Sequence, residues 1–258
     1  MKPKIAVYKF TSCDGCQLAF LNMGIELVAL QEMIEIIHFP EFGISNPNIS
    51  ADIAFIEGSI STPQEKKRIQ AIRHGSRFLI TIGACATAGG IQALRNFSDV
   101  NTWVADIYPH PASLSTLKTS TAISHHVKVD FELWGCPVNS AQILNALKSL
   151  LMNATPTARR DSVCMECKRQ GHICVMVTKN IPCMGPVTQT GCGAICPHAG
   201  RDCYGCYGPS ENPNSQSLSR RFSNIGLSGE AITRRFRFIN NQAPAFLEAG
   251  NLNEKKSK

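Results

Sequence analysis

Five short apolar runs punctuate the first 150 residues, at Ile5–Phe10, Glu35–Phe39, Asp52–Glu57, Phe78–Ile82 and Val129–Leu133. Each is strand-length, and each is separated from the next by a segment with helical spacing or helix signals. Strands alternating with helices predict a parallel sheet covered on both faces, an α/β fold. Two helix starts are marked. Thr62-Pro63-Gln64-Glu65 offers an N-cap, a proline at the first helical position and a reciprocal glutamate. Asn139 with Gln142 makes a similar box, ahead of an apolar face of Ile143, Leu144, Leu147, Leu150 and Leu151.

The pattern breaks near Asn153. From Thr155 to Ser210 there are eight cysteines, five prolines and seven glycines and no sustained periodicity. Such a segment buries too little side chain to fold by hydrophobicity alone, so bound metal is expected to supply much of its folding free energy. Helical patterning resumes at Ser217–Ile225 and Gly229–Phe238, and the last eight residues read as frayed. The expected organisation is a domain over residues 1–153 and a cysteine-rich, irregular domain with a helical tail over 154–258.

Composition sharpens this picture. The chain has 258 residues and is 43% hydrophobic, enough for a real core. No run reaches the roughly 18 apolar residues of a membrane span, and the N-terminus MKPKIAVYKF enters strand-like sequence directly, which points to a cytoplasmic protein. In a reducing compartment twelve cysteines call for metal rather than disulfides. The formal charge of +7 counts every thiol as neutral. Thiolates on three oxidised cubane clusters, each carrying about −2 with its ligands, offset most of it. The remaining basic clusters, Arg220-Arg221, Arg234-Arg235 and the tail Lys255, Lys256 and Lys258, read as solvated surface and not as a nucleic-acid site.

Four cysteines follow predicted strands: Cys13 and Cys16 the first, Cys85 the fourth, Cys136 the fifth. Loops at the carboxyl ends of parallel strands converge, so four thiols far apart in sequence can form one cubane site. Gly15, Gly83, Gly89, Gly90 and Gly135 would let backbone approach a cluster closely. The plainer alternative makes Cys85 and Cys136 buried small hydrophobes and leaves Cys13 and Cys16 as a redox pair. The other eight, Cys164, Cys167, Cys174, Cys183, Cys192, Cys196, Cys203 and Cys206, fall within 43 residues, with two C-x2-C pairs and a proline after Cys196. That density is ferredoxin-like. Two structural zinc sites in an interaction protein are the rival, but a third four-cysteine site suits electron transfer and has no evident use in a zinc protein.

Seven ordered motifs carry a resemblance across nearly the whole chain: TSCDGCQ at 11–17, IEGSISTP at 56–63, GACATAGG at 83–90, GCPVN at 135–139, PCMGPVT at 182–188, GCGAICP at 191–197 and CYGC at 203–206. The sequence resembles the small subunits of [NiFe]-hydrogenases, and among them the delta subunits of cytoplasmic NAD(P)-linked enzymes, the sulfhydrogenases. The resemblance implies a flavodoxin-like first domain holding a proximal cluster on Cys13, Cys16, Cys85 and Cys136. It implies a distal cluster on Cys164, Cys167, Cys174 and Cys183, and a medial one on Cys192, Cys196, Cys203 and Cys206. Cys164 stands where periplasmic relatives use a histidine, and Cys196 adds a fourth medial ligand, so three [4Fe-4S] clusters are expected. Ala88 stands where many relatives carry histidine.

The implied partners are a large subunit bearing the nickel site and flavin and iron–sulfur subunits that meet NAD(P). Hydrogen would be activated in the large subunit, and this chain would carry no catalytic residue. A complex-I-related subunit with another acceptor is the runner-up. Glu57 reads as a loop acceptor more than a functional acid, and His172 and His198 are not needed as ligands. FMN is disfavoured, because the loop after the first strand is occupied by cysteines and holds no phosphate cradle.

Overall fold

The computed structural model describes residues 2–46, 49–159 and 161–255. All five expected strands form: β1 (Lys4–Lys9), β2 (Glu35–His38), β3 (Ala51–Glu57), β4 (Ser76–Ile82) and β5 (Phe131–Leu133). They pair in parallel in the order β2-β1-β3-β4-β5, the flavodoxin-like arrangement. Successive side chains of a strand face opposite ways, and β1 divides accordingly. Ile5 and Val7 join Phe20, Leu27, Ile143 and Leu147 in one core, beneath α1 (Gly15–Leu21), α2 (Ile25–Gln31) and α6 (Ser140–Leu151). Ala6 and Tyr8 join Ile69, Ile72 and Leu79 in the other, beneath α3 (Pro63–His74). Helices therefore cover both faces, as the alternation implies.

Both helix-start boxes are formed, around Thr62–Glu65 and Asn139–Gln142. At the first, Glu65 N donates to Thr62 Oγ1 at 3.2 Å, while the Glu65 carboxylate accepts from the backbone of Thr62 at 3.0 Å and Ser61 at 2.8 Å. Thr11 Oγ1 also donates to it at 2.8 Å, so the cap of α3 braces the loop that leads to Cys13. Thr62→Ala is expected to lower stability by about 1 kcal/mol, a shift readable in the denaturation midpoint. An unchanged midpoint would mean that Glu65 holds the helix start without its partner.

Two further helices belong to this half, α4 (Gly83–Ala88) and α5 (Val100–Ile107). Beyond residue 153 the chain is irregular as expected, but it contains three short helices that the sequence pattern does not reveal: α7 (Val163–Arg169), α8 (Val175–Thr178) and α9 (Ile195–His198). Each carries or borders cysteines. Then follow α10 (Ser215–Asn224), α11 (Gly229–Phe236) and α12 (Pro244–Lys255). The last corrects the expectation of a frayed end. Phe246, Ala249, Gly250 and Asn253 are buried, and Asn253 Nδ2 donates to Ser219 Oγ of α10 at 3.0 Å. Apart from Phe246 the buried positions are small residues and one amide, so hydrophobic periodicity missed the helix. Lys256 and Lys258 lie outside the described residues.

A third core gathers Val163, Val175, Val187, Leu218, Phe222, Ile232, Phe236 and Phe246, and it includes Ala88 from the first half. Among the described residues no helix is long and apolar enough to cross a membrane.

Candidate metal centre

β1 and β3 are adjacent but lie on opposite sides of the point where strand order reverses, and ligand crevices form outside the carboxyl ends of strands at such a point. The loop leaving β1 carries Cys13 and Cys16. It is tied to the loop after β3 by Thr11 N to Ser59 O at 3.3 Å and Ser59 N to Thr11 O at 3.0 Å. Glu57, the last residue of β3, is buried. Its carboxylate accepts from Cys16 N at 3.0 Å and from Gln17 Nε2 at 2.9 Å. It is the acceptor the sequence suggests, and what it holds is the cysteine loop. Burial raises its pKa, more than those donated hydrogen bonds lower it.

Cys85 lies in α4, after β4, and Cys136 in the loop after β5; Ala84 N donates to Gly135 O at 2.7 Å and joins the two. The four thiols sense one another. Burial is the main cause raising Cys16, Cys85 and Cys136, and the charges of neighbouring cysteines add to it in every case, with Cys85 pushed up to about 12. Cys16 interacts with Cys85 and Cys136, and Cys13 with Cys85 and Cys136. Two glycines make the convergence possible. A Cβ on Gly83, at φ +85°, would fall 2.3 Å from Cys16 Sγ, and one on Gly90, at φ +62°, 2.6 Å from Cys85 Sγ. Gly15 makes ordinary contact with Cys13, whereas Gly89 and Gly135 pack against Ala93 and Pro137 and not against the thiols. Gln92, which no sequence signal marks, accepts from Cys85 Sγ at 3.1 Å.

The remaining eight cysteines also feel one another's charges. Cys167 interacts with Cys164, Cys174 and Cys183, and Cys164 with Cys174. Cys206 interacts with Cys192 and Cys196, and Cys203 with Cys206. Burial again heads the causes, holding Cys206 near 12. Cys206 also feels the charge of Cys136, and Cys203 feels that of Cys183 ahead of that of Cys206. Backbone N–H groups reach the sulfurs too, Cys203 N to Cys183 Sγ at 3.3 Å and Gly205 N to Cys203 Sγ at 3.5 Å. His172 and His198 contact each other, with ring centroids 4.8 Å apart.

All twelve cysteines are free thiols. Among the described residues no three His, Cys, Asp or Glu side chains converge tightly enough to hold a single ion. The donor set is an open array of cysteine sulfurs whose thiolate forms would repel one another. That chemistry fits a cationic multi-iron core, which offsets the charge of buried thiolates as it displaces their protons.

The family described as NADH ubiquinone oxidoreductase, 20 Kd subunit, matches residues 13–150. The chain is 33% identical over 235 residues to the Sulfhydrogenase 2 subunit delta of Pyrococcus furiosus, covering 91% of this chain and 98% of that one. The chain belongs to the small-subunit family of [NiFe]-hydrogenases. The delta subunit of the NAD-reducing hydrogenase HoxS of Cupriavidus necator is a more distant member, 27% identical over 165 residues that span 58% of this chain and 79% of that one. Among solved structures, a chain of the NAD+-reducing [NiFe]-hydrogenase in the H2-reduced state superposes with a TM-score of 0.57 at 28% identity. The match covers 61% of this small-subunit homologue and 95% of that chain.

Proposed function

We propose that this chain is the electron-relay subunit of a cytoplasmic [NiFe]-hydrogenase and carries three [4Fe-4S] clusters. Cys13, Cys16, Cys85 and Cys136 hold the proximal one. Cys192, Cys196, Cys203 and Cys206 hold the medial one, and Cys164, Cys167, Cys174 and Cys183 the distal one. Each cluster supplies a one-electron couple when bound. The chain's own residues space the sites, bury their thiolates and donate N–H groups to the sulfurs. The division near residue 153 is part of the same reading, supported by a core formed mainly by residues beyond it.

The observation that carries the reading is the convergence of the strand-end cysteines: Ala84 N joins the Cys85 and Cys136 loops, and a Cβ on Gly83 or Gly90 would strike Cys16 Sγ or Cys85 Sγ. It supports a proximal site at the strand ends, and the chain-order partition of the last eight cysteines and the path proximal, medial, distal are part of the same proposal. The sulfhydrogenase delta relative and the NAD+-reducing structural neighbour support a large subunit bearing the nickel site on one side. On the other they support flavin and iron–sulfur subunits that meet NAD(P). The description of the matching family keeps a complex-I-related acceptor as the second reading, and the sulfhydrogenase relative, matched over 98% of its own length, favours the first.

Anaerobically purified protein is expected to hold about 12 iron and 12 sulfide per chain, and to show no hydrogen uptake or evolution without the large subunit. Stoichiometric zinc with negligible iron would sink the cluster assignment. Hydrogen activity in a preparation shown to lack the large subunit would sink the division of labour.

A further inference from the structure

The turn between α11 and α12 holds two adjacent asparagines, Asn240 and Asn241, which are 1% and 0% exposed. Asn240 Nδ2 donates to Gly205 O at 2.8 Å, and Asn241 Nδ2 donates to Gly90 O at 2.9 Å, 151 residues away. Gly205 lies between Cys203 and Cys206. Gly90 follows the helix that carries Cys85, and a Cβ there would lie 2.6 Å from Cys85 Sγ. Neighbouring residues of one tight turn therefore bridge the joint between two cysteine loops. Neither carbonyl needs the asparagine to be satisfied, because Ala93 N donates to Gly90 O at 3.2 Å and Gly208 N to Gly205 O at 3.1 Å. A carbonyl oxygen has a second lone pair, and in both loops the asparagine takes it. Asn240 Oδ1 is buried with no partner among the described residues, so this amide carries a cost that an apolar side chain of similar size would not. Asn241 is aimed by Gln242, whose Nε2 donates to Asn241 Oδ1 at 3.0 Å. Behind the turn, Phe246 of α12 backs the same loop, with Cε2 3.4 Å from a Cβ built on Gly205.

We propose that Asn240 and Asn241 are positioning residues that clamp the Cys85 loop against the Cys203–Cys206 loop, so that the C-terminal helices set the gap electrons cross between the proximal and medial sites. This rests on the iron–sulfur reading above and on its partition by chain order. Sites that work by proximity are sensitive to misplacement of about 1 Å, and two direct hydrogen bonds from adjacent residues leave little slack between the loops. Folding of the tail alone would need no such reach. Asn253, the other buried asparagine of these helices, donates within the tail, to Ser219 Oγ at 3.0 Å and to Ala249 O at 2.7 Å.

The test compares wild type with Asn240→Leu, Asn241→Leu, the double variant and Asn253→Leu in the anaerobically purified complex. Leucine is close to asparagine in size and shape but has no donor. Iron content is expected to stay at the wild-type value in all four. The spin–spin splitting between the reduced proximal and medial clusters, read by electron paramagnetic resonance, is expected to change in the first three and not in Asn253→Leu. Single-turnover electron transfer from hydrogen to the medial site should slow on the order of tenfold in the same three. A clamp is undone by losing either end, so the double variant should shift the splitting no further than the single ones; summed shifts would overturn the clamp. Unchanged splitting and rate in both single variants would overturn it too, and so would an equal change in Asn253→Leu, which would trace the effect to the stability of the tail. If a leucine variant loses iron, Asn240→Ala and Asn241→Ala, which remove the donor without filling its place, decide by the same readouts. Iron loss there as well would make the turn part of cluster assembly and overturn the positioning role. Wild-type protein without iron overturns the functional reading itself, an outcome distinct from variants that keep iron and lose coupling.

Discussion

Gly83→Ala is expected to strip the proximal site from the chain, lowering iron from about 12 to about 8 per chain and destabilising the fold by roughly 3 kcal/mol or more. Two costs add. Gly83 sits at φ +85°, a region that costs an L-residue about 1–2 kcal/mol. The new methyl would also lie 2.3 Å from Cys16 Sγ and 3.5 Å from Gly135 O. The backbone has little room to yield, because Ala84 N donates to Gly135 O at 2.7 Å and Thr87 Oγ1 to Gly83 O at 3.0 Å. Gly171→Ala separates the two costs. Gly171 has φ +71° with nothing within 4 Å of its built Cβ, so it should lose only the conformational part and keep all its iron. Equal iron content in the two variants would mean that Gly83 is present for its backbone angle and not for the thiol beside it.

Cys206→Ser is expected to break the relay at its middle. Cys206 interacts with Cys192 and Cys196 in its own quartet and with Cys136 across the joint. Removing an outer partner of a metal ligand already costs ~10–100-fold in affinity or activity, so loss of this buried ligand should reduce hydrogen-dependent acceptor reduction at least as much. Iron should fall to about 8 per chain. Cys196→Ala is the milder comparison, at the cysteine that adds the fourth ligand to the medial site, on the short helix α9. One iron should be lost, leaving a three-iron cluster on Cys192, Cys203 and Cys206, with a new signal in the oxidised state. If Cys206→Ser keeps full iron and turnover, Cys206 is packing. If Cys196→Ala instead loses the cluster on Cys164 and Cys167, the sites interleave as in two-cluster ferredoxins, and the partition by chain order is wrong.

How much was legible in advance varies by element, for physical reasons. Strands and capped helices declare themselves locally. β1 alternates its faces, and the Thr62 and Asn139 boxes use residues within four positions of one another. The short helices α7, α8 and α9 do not, because four to seven residues offer too little periodicity. The buried side of α12 has one large apolar residue, Phe246, and is otherwise built from small residues and an asparagine, a pattern that reads as polar until its partner helix is present.

The identity of the twelve cysteines and their position after the strands were determined by the sequence itself, because thiols in a cysteine-dense pattern and the carboxyl ends of parallel strands are local properties. So was the requirement for glycine beside them. The convergence of the strand-end thiols around Gly83 and Gly90, and the reach of Cys203 N to Cys183 Sγ, were decided by tertiary structure. The roles of Glu57 in holding Cys16, of Gln92 beside Cys85 and of Asn139 in reaching the Gly191 carbonyl also emerge only there. Each is a contact between residues whose separation along the chain carries no periodic signal. Burial and hydrogen-bond geometry then turn an ordinary loop acceptor, a surface-like glutamine and a helix cap into parts of the site.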